Sequence, residues 1–325
     1  MKKLTGLVSA ALLVSPTIYA NENINGIWDN VELAGYGSIV NVADSLNRIG
    51  GIGDVYISAP TVSGGKASRV LTGFEYEEAV YHNNPRSLLK SIIFADGSTK
   101  ISDNFRMAYL LKETHQYNGR DNTSADSAAQ TIELMPRYEK WISPELSYAF
   151  EFGYEKVTGG LSDYQDRTNY SITPELNLGY DKHFLHLNLQ VGYMDHGDRG
   201  MFIESEPLYI YQYNDWINLG AKVLYNEEKN DFAWKEYAFK PLVQFNFKNG
   251  IYLELRYERQ ETEQQGGATS YSSNNYALYS EVPLTSDISF LADLAIRKGE
   301  VGGTSEYNWG DKEIAFAKVG LIWTF

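Results

Sequence analysis

The chain ends in Val319-Gly320-Leu321-Ile322-Trp323-Thr324-Phe325, which puts Phe325, Trp323, Leu321, Val319, Ala317 and Ala315 on one face of an extended strand and Lys318 and Thr324 on the other. Alternation with period two sets every second side chain against apolar surroundings and its neighbours against water. The same rhythm recurs along the sequence. Leu146, Tyr148, Phe150, Phe152 and Tyr154 alternate with Ser147, Glu151 and Glu155, and Leu185, Leu187, Leu189 and Val191 with His186, Asn188 and Gln190. Ile288, Phe290, Ala292, Leu294 and Ile296 alternate with Ser289, Asp293 and Arg297. Beyond the amino terminus, no stretch approaches the roughly 18 to 20 consecutive apolar residues of a membrane helix. A chain that spans a membrane in such segments must close on itself, because only helices and closed sheets satisfy their backbone polar groups in hydrocarbon. The expected fold class is therefore all-β, a transmembrane antiparallel up-and-down β-barrel.

Met1-Lys2-Lys3, an apolar run through Leu13, then Pro16 and Ala20 form a secretory signal, with cleavage expected after Ala20. Cysteine is absent, which removes disulfides and thiolate metal sites. A secreted β-sandwich fits the composition too. The 25 Tyr, 14 Phe and 6 Trp, at a mean hydropathy of −0.37, suit a barrel with aromatic girdles and a wet interior. A net charge of −14 argues against a nucleic-acid partner, whose phosphates demand a basic surface. Outer-membrane lipid and the barrel-assembly machinery are the expected partners, with Trp323 and Phe325 as the assembly signal.

Reading back from Phe325, ascending strands are expected over 69–79, 104–115, 145–156, 184–194, 216–226, 250–260 and 287–298. Descending strands are expected over 86–95, 128–141, 168–181, 206–213, 234–247, 272–284 and 313–325. This gives fourteen strands, with twelve or sixteen as alternatives because the first hairpin, around His82-Asn83-Asn84-Pro85, is poorly defined. Short turns such as Asp181-Lys182 and Phe247-Lys248-Asn249-Gly250 mark one end, and longer polar loops such as 116–127, 195–203, 227–233 and 299–312 mark the other. Trp141, Trp216 and Trp323 fall near the turn end and Trp234 and Trp309 near the loop end, predicting two aromatic belts. Pro136, Pro174 and Pro241 recur inside descending strands, where a missing ladder donor is unusual.

Parity carried back from Phe325 assigns Glu75, Glu77, Arg106, Lys112, Glu133, Arg137, Glu139, Glu151, Glu155, Glu175, His186, Lys222, Lys240, Tyr252, Glu254, Arg256, Glu258, Tyr279, Glu281, Asp293, Arg297 and Lys318 to the lumen. A charge at the bilayer midplane costs roughly 2 to 4 kcal/mol, which forces these groups inward. Carboxylates are in excess, so the wall disfavours polyanions. From this set Arg106, Glu133, Arg137, Glu139, Glu151, Glu155, Glu175, Tyr252, Glu254, Arg256, Tyr279, Asp293, Arg297 and Lys318 are the candidate solute-pathway residues. Tyr252, Tyr279 and Phe316 offer apolar faces to sugar rings.

Residues 21–65 break the rhythm. Three readings stand for this leader: a lumen-inserted segment with Asn21, Asn25, Ile27 and Trp28 as the plug, a periplasmic tail, or an extra hairpin containing Val55-Tyr56-Ile57-Ser58. The barrel itself is assigned to 66–325.

The strand-turn rhythm of 71–325, the prolines at 136, 174 and 241, the segment Phe247-Lys248-Asn249-Gly250-Ile251-Tyr252-Leu253-Glu254 and the aromatic ending resemble the small monomeric outer-membrane porins of Gram-negative bacteria. The likeness is to the OmpG type and the cyclodextrin porin CymA, with oligogalacturonate porins more distant. It implies passive diffusion of oligosaccharide solutes through a single chain in the outer membrane, no cofactor and no metal, and an amino-terminal segment that partly blocks the lumen. The acidic balance departs from a polyanion-selective wall, which favours neutral linear or cyclic glucans. The rivals are a structural or adhesive barrel without an open channel and a barrel enzyme. His82, His115, His183 and His196 lie at strand ends or turns, and neither they nor His186 sits in a G-x-S-x-G motif.

Overall fold

The computed structural model describes residues 68–324, apart from short stretches of the connections at 82–83, 103, 119–126, 144–145, 160–165, 181, 196–199, 215, 230–233, 265–269 and 303–310. The signal, the leader with Asn21, Asn25, Ile27 and Trp28, and the residues Trp309 and Phe325 lie outside the described residues.

Every described segment of regular structure is a strand. The first eight are β1 (Ser68–Tyr81), β2 (Asn84–Ser102), β3 (Phe105–Asn118), β4 (Ser127–Ser143), β5 (Leu146–Gly159), β6 (Arg167–Tyr180), β7 (His183–Asn188) and β8 (Gln190–Asp195). The rest are β9 (Gly200–Ser205), β10 (Leu208–Gln212), β11 (Ile217–Lys229), β12 (Trp234–Asn246), β13 (Tyr252–Gln264), β14 (Ser270–Pro283), β15 (Ile288–Gly302) and β16 (Asp311–Thr324). β7 and β8 are two halves of one stave, both pairing with β6, and β9 and β10 are halves of the next, both pairing with β11. The sixteen segments thus form fourteen staves in one antiparallel sheet, and β1 zips to β16 from Arg69–Thr324 to Tyr81–Lys312 to close it. Each expected strand is present. Boundaries differ most in two places: β2 runs on to Ser102, beyond its expected end at 95, and the 195–203 loop is shorter, because Gly200–Ser205 already pairs with β8 and β11. Pro207 interrupts that stave and hides its first half from a reading based on unbroken alternation.

The prolines also find their physical account. Pro136, Pro174, Pro207 and Pro241 all project from the outer face; the first, second and fourth open the ladder only toward the following strand, while at Pro207 pairing lapses on both sides. Pairing stops at Leu134–Tyr154 and resumes at Arg137–Glu151, stops at Phe239–Arg259 and resumes at Leu242–Arg256, and the register is unchanged across each gap. One bond of each missing pair survives at Pro174 and Pro207, whose carbonyls accept from Leu189 N at 3.2 Å and Val223 N at 3.2 Å. Successive prolines step two residues toward the turn end, which at a strand tilt of about 35 to 45° keeps them at nearly one height.

The outer face is a band of exposed apolar and aromatic side chains, among them Phe74, Leu111, Phe152, Ile172, Leu187, Val223, Leu255 and Leu294. Toward the loop end the cross-strand tyrosine pairs Tyr154–Tyr170, Tyr225–Tyr237 and Tyr257–Tyr276 bound it, at ring separations of 5.6, 5.4 and 5.3 Å. Toward the turn end Trp216 lies 6.2 Å from Phe245 and 6.4 Å from Phe247. Just beyond the loop-end tyrosines, outward charges pair with one another, Lys235 with Glu227 at 3.6 Å and Lys298 with Glu313 at 3.3 Å. This is the layering a bilayer imposes: hydrocarbon against the band, amphipathic rings at the interface, ions in water.

Candidate functional site: the inner wall

Every one of the fourteen candidate residues projects inward, on β3 to β6 and on β13 to β16, while the residues on either side of them project outward. On the first wall Arg137 is the centre. Its Nη1 binds Glu175, with Glu151 at 3.9 Å and its Nε 3.7 Å from Glu139. Arg106 stands directly across from Arg137 on β3, so two guanidinium groups share this patch with three carboxylates. A hydrogen-bonded chain continues from it: His186 Nδ1 meets Asn177 Oδ1 at 2.7 Å, Asn177 Nδ2 donates to Ser147 Oγ at 2.9 Å, and Ser147 donates to Glu139 at 3.2 Å. Asn177 thus stands between His186 and Ser147. Higher on the same wall Glu133 and Glu155 face each other across β4 and β5, and Asn169 Nδ2 donates to Glu155 at 2.6 Å.

On the second wall Arg256 Nη2 reaches both oxygens of Asp293, at 2.6 and 2.7 Å, and its Nε lies 3.4 Å from Glu254. Its guanidinium carbon sits 5.9 Å from the Tyr279 ring centre, and Tyr252 meets that ring edge-on at 5.8 Å. Tyr252 donates to Glu254 at 2.6 Å and Tyr279 donates to Glu281. Arg297, 1% exposed, pairs with Glu258 at 3.4 Å, and Lys318 holds Glu75 at 3.0 Å while lying 4.3 Å over the Phe94 ring. Alternating charges at this spacing rigidify the wall and set local fields across the lumen.

Two features escaped the sequence reading. The first is Glu206, which lies on the interrupted stave and binds both Lys222 at 3.4 Å and Lys240, two lysines that face each other across β11 and β12. Glu204 and Glu236 are inward too. The second is an apolar cluster of Leu71, Phe94, Leu110, Tyr279, Leu291 and Ile322 on the inner wall from β14 round to β3, extended by Tyr252. Inward parity alone gave no reason to expect it, although Leu71, Leu291 and Ile322 occupy inward positions in the pattern. The rings of Tyr279 and Phe316 are both buried in the wall, Phe316 between Ala277 and Ala295.

No family model matches the chain, and no curated protein matches it. Solved structures with a similar fold include an anion-selective porin from Comamonas acidovorans, at 9% identity over 79% of this chain and 98% of that one, TM-score 0.44. An outer membrane channel from Pseudomonas putida F1 aligns at 10% identity over 80% and 96%, TM-score 0.46. The translocator domain of the autotransporter NalP from Neisseria meningitidis aligns at 12% identity over 96% and 100%, TM-score 0.46.

Proposed function

We propose that the protein is an outer-membrane porin, through which hydrophilic solutes diffuse passively. The observation that carries this reading is the complete division of the wall: an outer band fit for lipid encloses an inner surface of ion pairs, amides and hydroxyls around fourteen staves. Eight-stranded barrels are filled by their own side chains whereas sixteen- to eighteen-stranded ones leave an aqueous channel, and fourteen lies near the second class. The loop end then faces outward from the cell and the turn end faces the periplasm. Neutral linear or cyclic glucans are the proposed solutes, since the wall offers hydroxyl-binding carboxylates and arginines beside Tyr252, and its excess of carboxylates repels polyanions. The leader, with Asn21, Asn25, Ile27 and Trp28, is proposed to enter the lumen from the turn end, where β1 begins and where Leu71 and Ile322 form part of an apolar cluster.

Single-channel recording in planar bilayers tests the reading. Step-like currents, and transient blockades on adding neutral glucans, are expected. Folded protein, identified by heat-modifiable gel mobility, that gives no steps would instead establish a barrel without a channel.

A further inference from the structure

We infer that the loop-end half of the lumen holds a binding site for a hard divalent cation of the calcium class, built on Glu236 and Asn226. Glu236 projects inward from the loop-end half of β12 and is 1% exposed, yet among the described residues neither of its carboxylate oxygens has a hydrogen-bond partner. Asn226 lies directly across from it on β11, and its Oδ1 is likewise buried without a donor. The row continues on both sides: Glu204 of β9 pairs with Asn226, and Thr262 of β13 pairs with Glu236. Four oxygen-bearing side chains therefore stand on four adjacent staves, with neighbouring Cβ atoms about 4.5 to 5.5 Å apart.

The neighbouring bases do not account for these oxygens. Lys240 and Arg297 lie within electrostatic reach of Glu236, but Lys240 binds Glu206 and Arg297 pairs with Glu258 at 3.4 Å. Buried acceptors without donors call for water, an ion or a proton. The donor set decides between metals: carboxylate and amide oxygens without nitrogen or sulfur suit calcium better than a transition ion. Glu236 and Glu204 together balance a double positive charge, Asn226 Oδ1 adds a neutral ligand, and water completes the shell. Among the described residues no three His, Asp or Glu side chains converge on one point, so the site is a sparse one. Its affinity belongs with that of extracellular calcium modules, a Kd on the order of 10⁻⁴ to 10⁻³ M.

The test uses the full chain, folded in detergent and freed of metal with a chelator. Terbium, a luminescent calcium substitute, should give saturable emission sensitised by Tyr225 and Tyr237, which flank the site in sequence. Calcium should displace it, whereas sodium at equal ionic strength should not. Glu236→Gln and Asn226→Leu should each weaken binding about tenfold or more, the loss expected when one ligand is removed from a sparse shell. Glu78→Gln, an outward residue on β1, should bind as the wild type does. A second readout is the thermal unfolding midpoint, which calcium at about 10 mM should raise in the wild type and not in Glu236→Gln. Either variant suffices if the other fails to fold. Wild-type protein indifferent to both ions, as a protonated Glu236 would leave it, overturns the inference, and so does a folded Glu236→Gln variant that binds terbium fully. Neither readout depends on conduction, so the result is independent of the proposed pore.

Discussion

Gly73 and Gly320 face each other across the seam that closes the barrel. A Cβ on Gly73 would overlap the Val319 carbonyl oxygen and come within 2.8 Å of Phe94 Cζ, while one on Gly320 would lie 2.7 Å from both Leu71 Cδ1 and the Thr72 carbonyl oxygen. Two of these obstacles are backbone, which cannot swing aside as a side chain can. Gly73→Ala should therefore cost at least the 1 to 3 kcal/mol or so of ordinary overpacking. Refolding yield, read as the fraction of heat-modifiable barrel, should fall for this variant. A yield equal to wild type would mean that the seam has slack the close approach does not suggest.

At Pro174 the exchange of hydrogen bonds is one-sided: Leu189 donates its N–H to the Pro174 carbonyl at 3.2 Å, and proline has no hydrogen to return. The Leu189 carbonyl loses its ladder donor at a height where the outer surroundings are hydrocarbon. Pro174→Val supplies the donor in an unchanged register and keeps an apolar group toward lipid. An unfolding free energy raised by roughly 0.5 to 1.5 kcal/mol, with a higher midpoint, is expected, the net worth of one hydrogen bond. A lowered midpoint would show that the proline contributes through its fixed φ.

The sequence and the structure agree where period two is the whole signal. Parity carried back from Phe325 holds through every stave, because turns set register and one misplaced residue would send all the charges of a strand into lipid. Which inward groups meet is another matter. Arg256 and Asp293 are 37 residues apart and Arg137 and Glu175 are 38 apart, and their contact depends on stagger between strands, which alternation does not encode. Pro207 cut the alternation that would have revealed Glu204 and Glu206. The inner apolar cluster around Leu71 and Phe94 breaks the rule of polar residues inside, so no pattern based on that rule could find it.

Glu206 joins Lys222 and Lys240, and all three side chains are about nine-tenths buried. Glu206→Gln would remove the carboxylate that joins two lysines facing each other. Breaking a buried pair in this way costs about 3 to 5 kcal/mol. Urea unfolding should show that loss, and adding Lys240→Met should recover a large part of it by removing the repulsion. If the double variant is no more stable than the single one, the two lysines are solvated well enough to tolerate each other.

Deleting residues 21–65 should enlarge the single-channel current or shorten glucan blockades if the leader occupies the lumen. Identical traces before and after deletion would place the leader outside the conducting path.

Charge selectivity follows from the inner wall, which carries acids such as Glu77, Asp96, Glu133 and Glu155 beside its ion pairs. Cations should permeate better than anions, and the preference should shrink at high salt as the Debye length falls to about 3 Å at 1 M. The Glu133→Gln, Glu155→Gln double variant is the informative change, because the two acids face each other and either one left alone would carry the charge of the pair. In a potassium chloride gradient the reversal potential of this variant should move toward zero relative to wild type. A wild-type reversal potential that favours chloride would mean that the paired bases, and not the excess acids, set the field a permeating ion meets.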